Sequence, residues 1–233
     1  MKRIILSLAV AAMTATASAQ PEPGTFSVIP RIGVAIANIS NETFVYDGNS
    51  LGSGKYREGL SAGADLQYQA TDMLALSLGV AYARQGCKYK DSDLSTANPG
   101  SYTGYSNVRN NLDYLNVPLM GHLYFAPGLS LNAGVQMGFL LHSSLAFDMA
   151  DVTINKDGSY TYTSQAEHVE NSSTDLNKKV DFSIPVGVSF EYANVVVDFR
   201  YNIGLTKIYK SVLNDINSRN KVFALTVGYK LDL

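Results

Sequence analysis

From Phe26 to the end of the chain, large apolar side chains recur at every second position, in segments of about ten residues separated by turn-forming stretches. Successive side chains of a β-strand point to opposite faces, so this period builds strands with one apolar face and one small or polar face. In 221–233 the apolar set is Phe223, Leu225, Val227, Tyr229 and Leu231, set against Val222, Ala224, Thr226, Gly228 and Lys230. The same split recurs in 26–36, 60–68, 74–82, 115–125, 129–141, 182–192 and 195–205, which predicts eight strands. Their connections alternate between tight turns (69–72, 126–128, 193–194) and long loops (38–55, 88–111, 144–179, 209–220). Short turns on one side and long loops on the other are the pattern of a transmembrane barrel.

The fold expected is therefore all-β: an eight-stranded antiparallel up-and-down transmembrane β-barrel with short periplasmic turns and long extracellular loops. A soluble lipocalin-like binder also has eight strands but turns its apolar face inward. The opposite face here is Gly, Ala, Ser, Asn and Gln, which fills a narrow lumen and makes a poor soluble exterior. Charged residues are 16% of the chain, below the usual quarter of a soluble domain. The ten-residue rise of 182–192 at a tilt near 40° spans roughly 25 Å, enough for one apolar band.

The first residues are read as a secretory signal peptide, 1–19. Positive charge at Lys2 and Arg3 precedes an apolar run from Ile4 to Met13 that closes on Ala17-Ser18-Ala19, with cleavage expected before Gln20. Residues 20–233 then form one barrel domain. The single cysteine, Cys87, excludes an intrachain disulfide, and the net charge of −2 without a basic stripe argues against nucleic acid.

On the inward face the alternation places Arg31, Asp65, Asp181, Glu191, Asp198, Arg200 and Lys230, which are expected to pair as a lumen charge network, most of them in the periplasmic half. Phe26, Tyr68, Phe125, Tyr192 and Tyr229 fall on the apolar face beside the short turns and are expected to form a periplasmic aromatic girdle in contact with outer-membrane lipid. No catalytic constellation, cofactor site or metal site is expected. His122 and His142 are predicted to face the lumen, and His142 with Ser144 has the spacing of an embedded lipid hydrolase but lacks the Glu expected shortly downstream. Loop 144–179 carries Asp148, Asp151, Asp157, Glu167, Glu170 and Asp175 among Ser, Thr and Tyr. Its 155–158 segment reads as a hairpin turn between 152–154 and 160–162, a projection suited to an extracellular or envelope protein partner.

The segments Arg31-Ile32-Gly33-Val34-Ala35-Ile36-Ala37-Asn38, Leu78 to Gly86, Tyr114-Leu115-Asn116-Val117-Pro118-Leu119, Phe199 to Leu205 and Leu225 to Leu231 together resemble the PorT-like outer-membrane β-barrel family of the Bacteroidetes. The family more often carries an acid where Asn116 stands. The resemblance implies the barrel and the outer membrane, and through the family's name an accessory role in a secretion or envelope-assembly system; it implies no catalytic residue. The functional expectation is a non-enzymatic barrel acting through its extracellular loops, with a small passive channel as the alternative.

Overall fold

The computed structural model describes residues 22–41, 43–46, 49–92, 94, 97–210 and 217–233. The expected signal peptide, 1–19, lies outside the described residues. Eight strands close a ring: β1 (Phe26–Ile39), β2 (Arg57–Gln69), β3 (Leu74–Lys88), β4 (Gly100–Ala126), β5 (Leu129–Ile154), β6 (Val180–Tyr192), β7 (Val195–Gly204) and β8 (Asn220–Tyr229). Each pairs antiparallel with the next, β5 with β6 at Phe182↔Met137 and Val188↔Leu131, and β8 returns to β1 at Ile32↔Val227. The final strand expected as 221–233 breaks at Lys230 and resumes as Leu231–Asp232 on β1.

Period two decides which face is which. Ile32, Leu76 and Val135 are between 55% and 62% exposed on the outside, while Ala35, Ser77 and Asn132 of the same strands are buried inside. The apolar face is outward, the reverse of a lipocalin-like carrier, and the lumen is filled by Ser, Asn, Gln and paired charges.

Tight turns close one end. Ala193 and Asn194 both take positive φ, the two-residue turn whose twist matches a hairpin, and the Asn194 side chain donates to Lys230 O at 3.0 Å. Gly128 has φ +70°, and a Cβ there would fall on Glu191 O, so this turn requires glycine.

The other end departs from the expected loops. β4 and β5 run 27 and 26 residues, far beyond the barrel wall, so parts of 88–111 and 144–179 are strand. Past an irregularity between Ser106 and Arg109, Gly100–Ser106 pairs with Asp148–Ile154. The far half of β5 then takes Glu167–Ser172 and Tyr160–Tyr162 on its second edge, with Val152↔Tyr162 and Ile154↔Tyr160 forming the hairpin around 155–158. Inside the mouth, Ile39, Cys87, Tyr89, Tyr105, Val108, Leu112, Tyr114, Leu140, Phe147 and Ile208 pack into an apolar cluster. The barrel interior is thus polar below and apolar at the long-loop mouth.

Candidate functional site

Two places carry chemistry: the polar lumen and the sheet projecting from the long-loop end. In the lumen, β1, β2 and β7 bring four of the seven expected charges together. Arg31 Nη2 lies 2.5 Å from Asp65 Oδ2 and Nη1 lies 3.4 Å from Asp198 Oδ1. Arg200 reaches Asp65 at 3.2 Å and Asp198 at 2.6 Å. The cluster is neutral and nearly dry, every member's side chain being 9% exposed or less. Two guanidiniums between two carboxylates satisfy the charge balance that burial demands.

Hydrogen bonds extend this cluster sideways. Asn132 and Ser189 both donate to Asp198, and His122 bridges Asn132 (2.8 Å) and Ser77 (2.8 Å). An imidazole held between one donor and one acceptor needs no charge. Nearer the short turns, Lys230 Nζ lies 2.9 Å from Glu191, which also accepts from Tyr124; Tyr124 in turn accepts from Gln67. Asp181 is not brought into either group. It sits at the long-loop end of β6, where Thr206 and Asn220 donate to it. Between these layers lie small voids of about 40 Å³ beside Arg31 and Asp65, and about 10 Å³ above and below. Such spaces hold a few waters, or one.

Phe26, Tyr68, Phe125, Tyr192 and Tyr229 all point outward and exposed at the short-turn end, with the Phe26 and Tyr68 rings 4.8 Å apart. A second outward aromatic group, missed in the sequence, joins Phe223 to Tyr201 (4.5 Å) and Tyr56 (5.8 Å) higher on the wall. Their alternation is visible in the sequence, but only the register brings them onto one patch.

His142 corrects the sequence expectation. Asp113 pairs with His142 while Tyr114 pairs with Leu140, so Leu141 is extra on β5 and both Leu141 and His142 face outward. A bulge of this kind reverses the facing of every later residue. Ser144 donates to Glu170 at 2.6 Å and accepts from Asn111, so its hydroxyl is committed to a carboxylate with no imidazole between them. Among the described residues no cluster of three His, Cys, Asp or Glu side chains is placed to hold a metal.

The projecting sheet encloses a cleft of about 420 Å³ between Asp91, Ser92 and Leu94 on one side and Tyr105, Met149, Val152, Tyr160 and Tyr162 on the other. That volume lies within the range of small-ligand sites. Tyr160 and Tyr162 are exposed, Tyr162 at 74%. Beneath it the sheet is braced by polar pairs. Asp148 accepts from His168 (2.6 Å) and Asn107 (2.7 Å), which hold its carboxyl below the usual carboxylate range.

A sequence profile described as an outer membrane protein beta-barrel domain matches residues 18–210. No curated protein sequence matches the chain significantly. Among solved structures the chain is similar to Ail, the attachment invasion locus protein of Yersinia pestis, at 15% identity and a TM-score of 0.46 over 90% of this chain and 99% of that one. It is similar to Neisserial surface protein A at 17% identity and a TM-score of 0.42, over 88% and 96% of the two chains. The N-terminal β-barrel domain of Pseudomonas aeruginosa OprF shares 14% identity at a TM-score of 0.31, over 91% and 100%.

Proposed function

Because the chain belongs to the family of outer membrane proteins built on a β-barrel domain, we propose that it works as a non-enzymatic interaction protein, presenting its projecting sheet outside the cell. The observation that carries this is the length of β4 and β5, which continue past the barrel wall into a braced sheet with a tyrosine-walled cleft. A barrel that served only to fill the membrane has no use for ordered strands outside it. Aromatic side chains with little rotamer freedom are effective contact residues. The lumen charges are assigned a structural role, stitching β1, β2 and β7 together and tying β6 to Lys230 just past β8, and the five short-turn aromatics a girdle at the periplasmic interface.

On the motifs around Asn116 and Pro118, both lining the central void, we also place the chain with the PorT-like barrels of the Bacteroidetes. An accessory role in secretion or envelope assembly is then one form the interaction takes. Cleavage of 1–19 during export belongs to the same proposal, and N-terminal sequencing of the membrane form beginning at Gln20 is its check.

The test is photocrosslinking in intact outer membranes from a photoreactive residue at position 162, with planar-bilayer conductance measured on the same preparation. A discrete protein adduct, lost when Tyr160 and Asp91 are replaced by Ser, and no conductance steps are the expected results. Steps of constant conductance without an adduct overturn this reading in favour of a passive channel.

A further inference from the structure

On the outer face of β3 and β4, at the long-loop rim, the register sets Arg84 opposite Asp113, Gly86 opposite Asn111 and Lys88 opposite Arg109. The last pair places two cations directly across from each other on one face. Their Cβ atoms are about 5 Å apart, an arrangement that repels unless an anion lies between them. Gly86, at φ +114°, contributes no side chain between Arg84 and Lys88, and a Cβ there would fall on Asn110 O. Arg84 spends Nε and Nη2 on Asp113, which Tyr82 also holds at 2.8 Å, so that guanidinium is fixed in place with Nη1 still directed to other acceptors. Among the described residues Lys88 has one ionic contact, at 3.4 Å to Glu58, whose side chain is 69% exposed.

Depth identifies the anion. Leu76 of β3 stands opposite Tyr68 in the short-turn aromatic row. At about 3.3 Å per residue and a tilt near 40°, Arg84 lies roughly 20 Å and Lys88 roughly 30 Å above that row. The apolar band is about 25 Å tall, so the stretch from Arg84 to Lys88 sits at the level of the outer-leaflet headgroups. We propose that Arg84, Lys88 and Arg109 form a site on the barrel's outer wall for the phosphate monoester of an outer-leaflet glycolipid, the lipid A headgroup. A monoester carries between one and two negative charges at neutral pH, enough to answer the Lys88 and Arg109 pair. A phosphodiester brings one charge and fewer acceptor oxygens. Glu58, exposed and loosely held, is the carboxylate the phosphate displaces.

The experiment is native mass spectrometry of the purified, folded full-length protein with three probes: diphosphorylated lipid A, the same lipid A after enzymatic removal of its phosphates, and phosphatidylglycerol. One retained copy of the phosphorylated form is expected, favoured at least about tenfold over each of the others, the return for one or two charge-assisted bonds. Lys88→Gln with Arg109→Gln removes that preference. Arg109→Gln alone, at an exposed position, weakens it and serves if the double variant does not fold, folding being read from heat-modifiable gel migration. Equal retention of dephosphorylated lipid A, equal retention of phosphatidylglycerol, or an unchanged preference in the folded variants each overturns the site.

Discussion

At the scale of single residues, the lumen cluster is the most exacting part of the molecule. Asp198 holds both Arg31 and Arg200, while Ser189 and Asn132 hold Asp198. Replacing it with Asn leaves two buried guanidiniums facing one carboxylate. Removal of one partner from a buried charge group costs about 3 to 5 kcal/mol. Asp198→Asn is therefore expected to lower the stability by that amount, read from the urea midpoint of reversible unfolding in lipid vesicles; a shift under about 1 kcal/mol would mean that water in the adjoining void already carries the charge. Ala193 predicts the opposite sign. Its φ of 46° is a left-handed conformation that a methyl side chain resists by about 1 kcal/mol, so Ala193→Gly is expected to stabilise the barrel by roughly 0.5 to 1 kcal/mol in the same assay. Loss of stability there would show that the added freedom of the unfolded chain outweighs the relieved strain.

At the scale of elements, the outer face of each barrel strand was legible because one side meets lipid and the other a packed lumen, and that difference writes period two into the sequence. Val135, midway along the barrel-wall part of β5, belongs to the lipid side. Arg in its place is expected to cost about 2 to 4 kcal/mol in vesicle unfolding, against little change for Leu, and an equal tolerance of both would place that face in water. Apart from the hairpin expected around 155–158, the far halves of β4 and β5 read as loop because beyond the rim both faces meet water or protein. The rhythm that remains is short: Ser101 and Thr103 face Thr153 and Asp151 over only a few residues. The outward turn of His142 was unreadable for a related reason: an extra residue at Leu141 shifts the facing, and nothing in the residue's type announces it. Seven lumen charges were named from alternation, but which of them meet depends on stagger between strands. Asp181 and Glu191 stand at opposite ends of the one strand β6, which keeps Asp181 away from Glu191 and Lys230. The apolar cluster inside the mouth is not legible in the sequence because Ile39, Leu112, Leu140 and Ile208 come from separate segments that share only their height in the barrel.

At the scale of the whole molecule, the closed ring leaves no backbone edge in the apolar band, as a membrane without water requires. Each wall strand is hydrogen-bonded on both sides, and the lumen layers tie opposite walls together. A structure of this kind resists detergent and opens only on heating. The purified protein is expected to migrate differently in boiled and unboiled gel samples; identical migration of a soluble, detergent-free form would remove the membrane barrel altogether. The seam that closes the ring joins Phe26–Ile39 to Asn220–Tyr229, and Leu233 N donates to Phe26 O at 2.9 Å. First and last strands are therefore each other's neighbours, and loop-closure entropy for nearly the full chain length falls on that one contact. During biogenesis such a chain has no native halfway form. A chain stopped before residue 220 is an open sheet with two bare edges, so export machinery must keep the polypeptide unfolded until Asn220–Tyr229 has arrived.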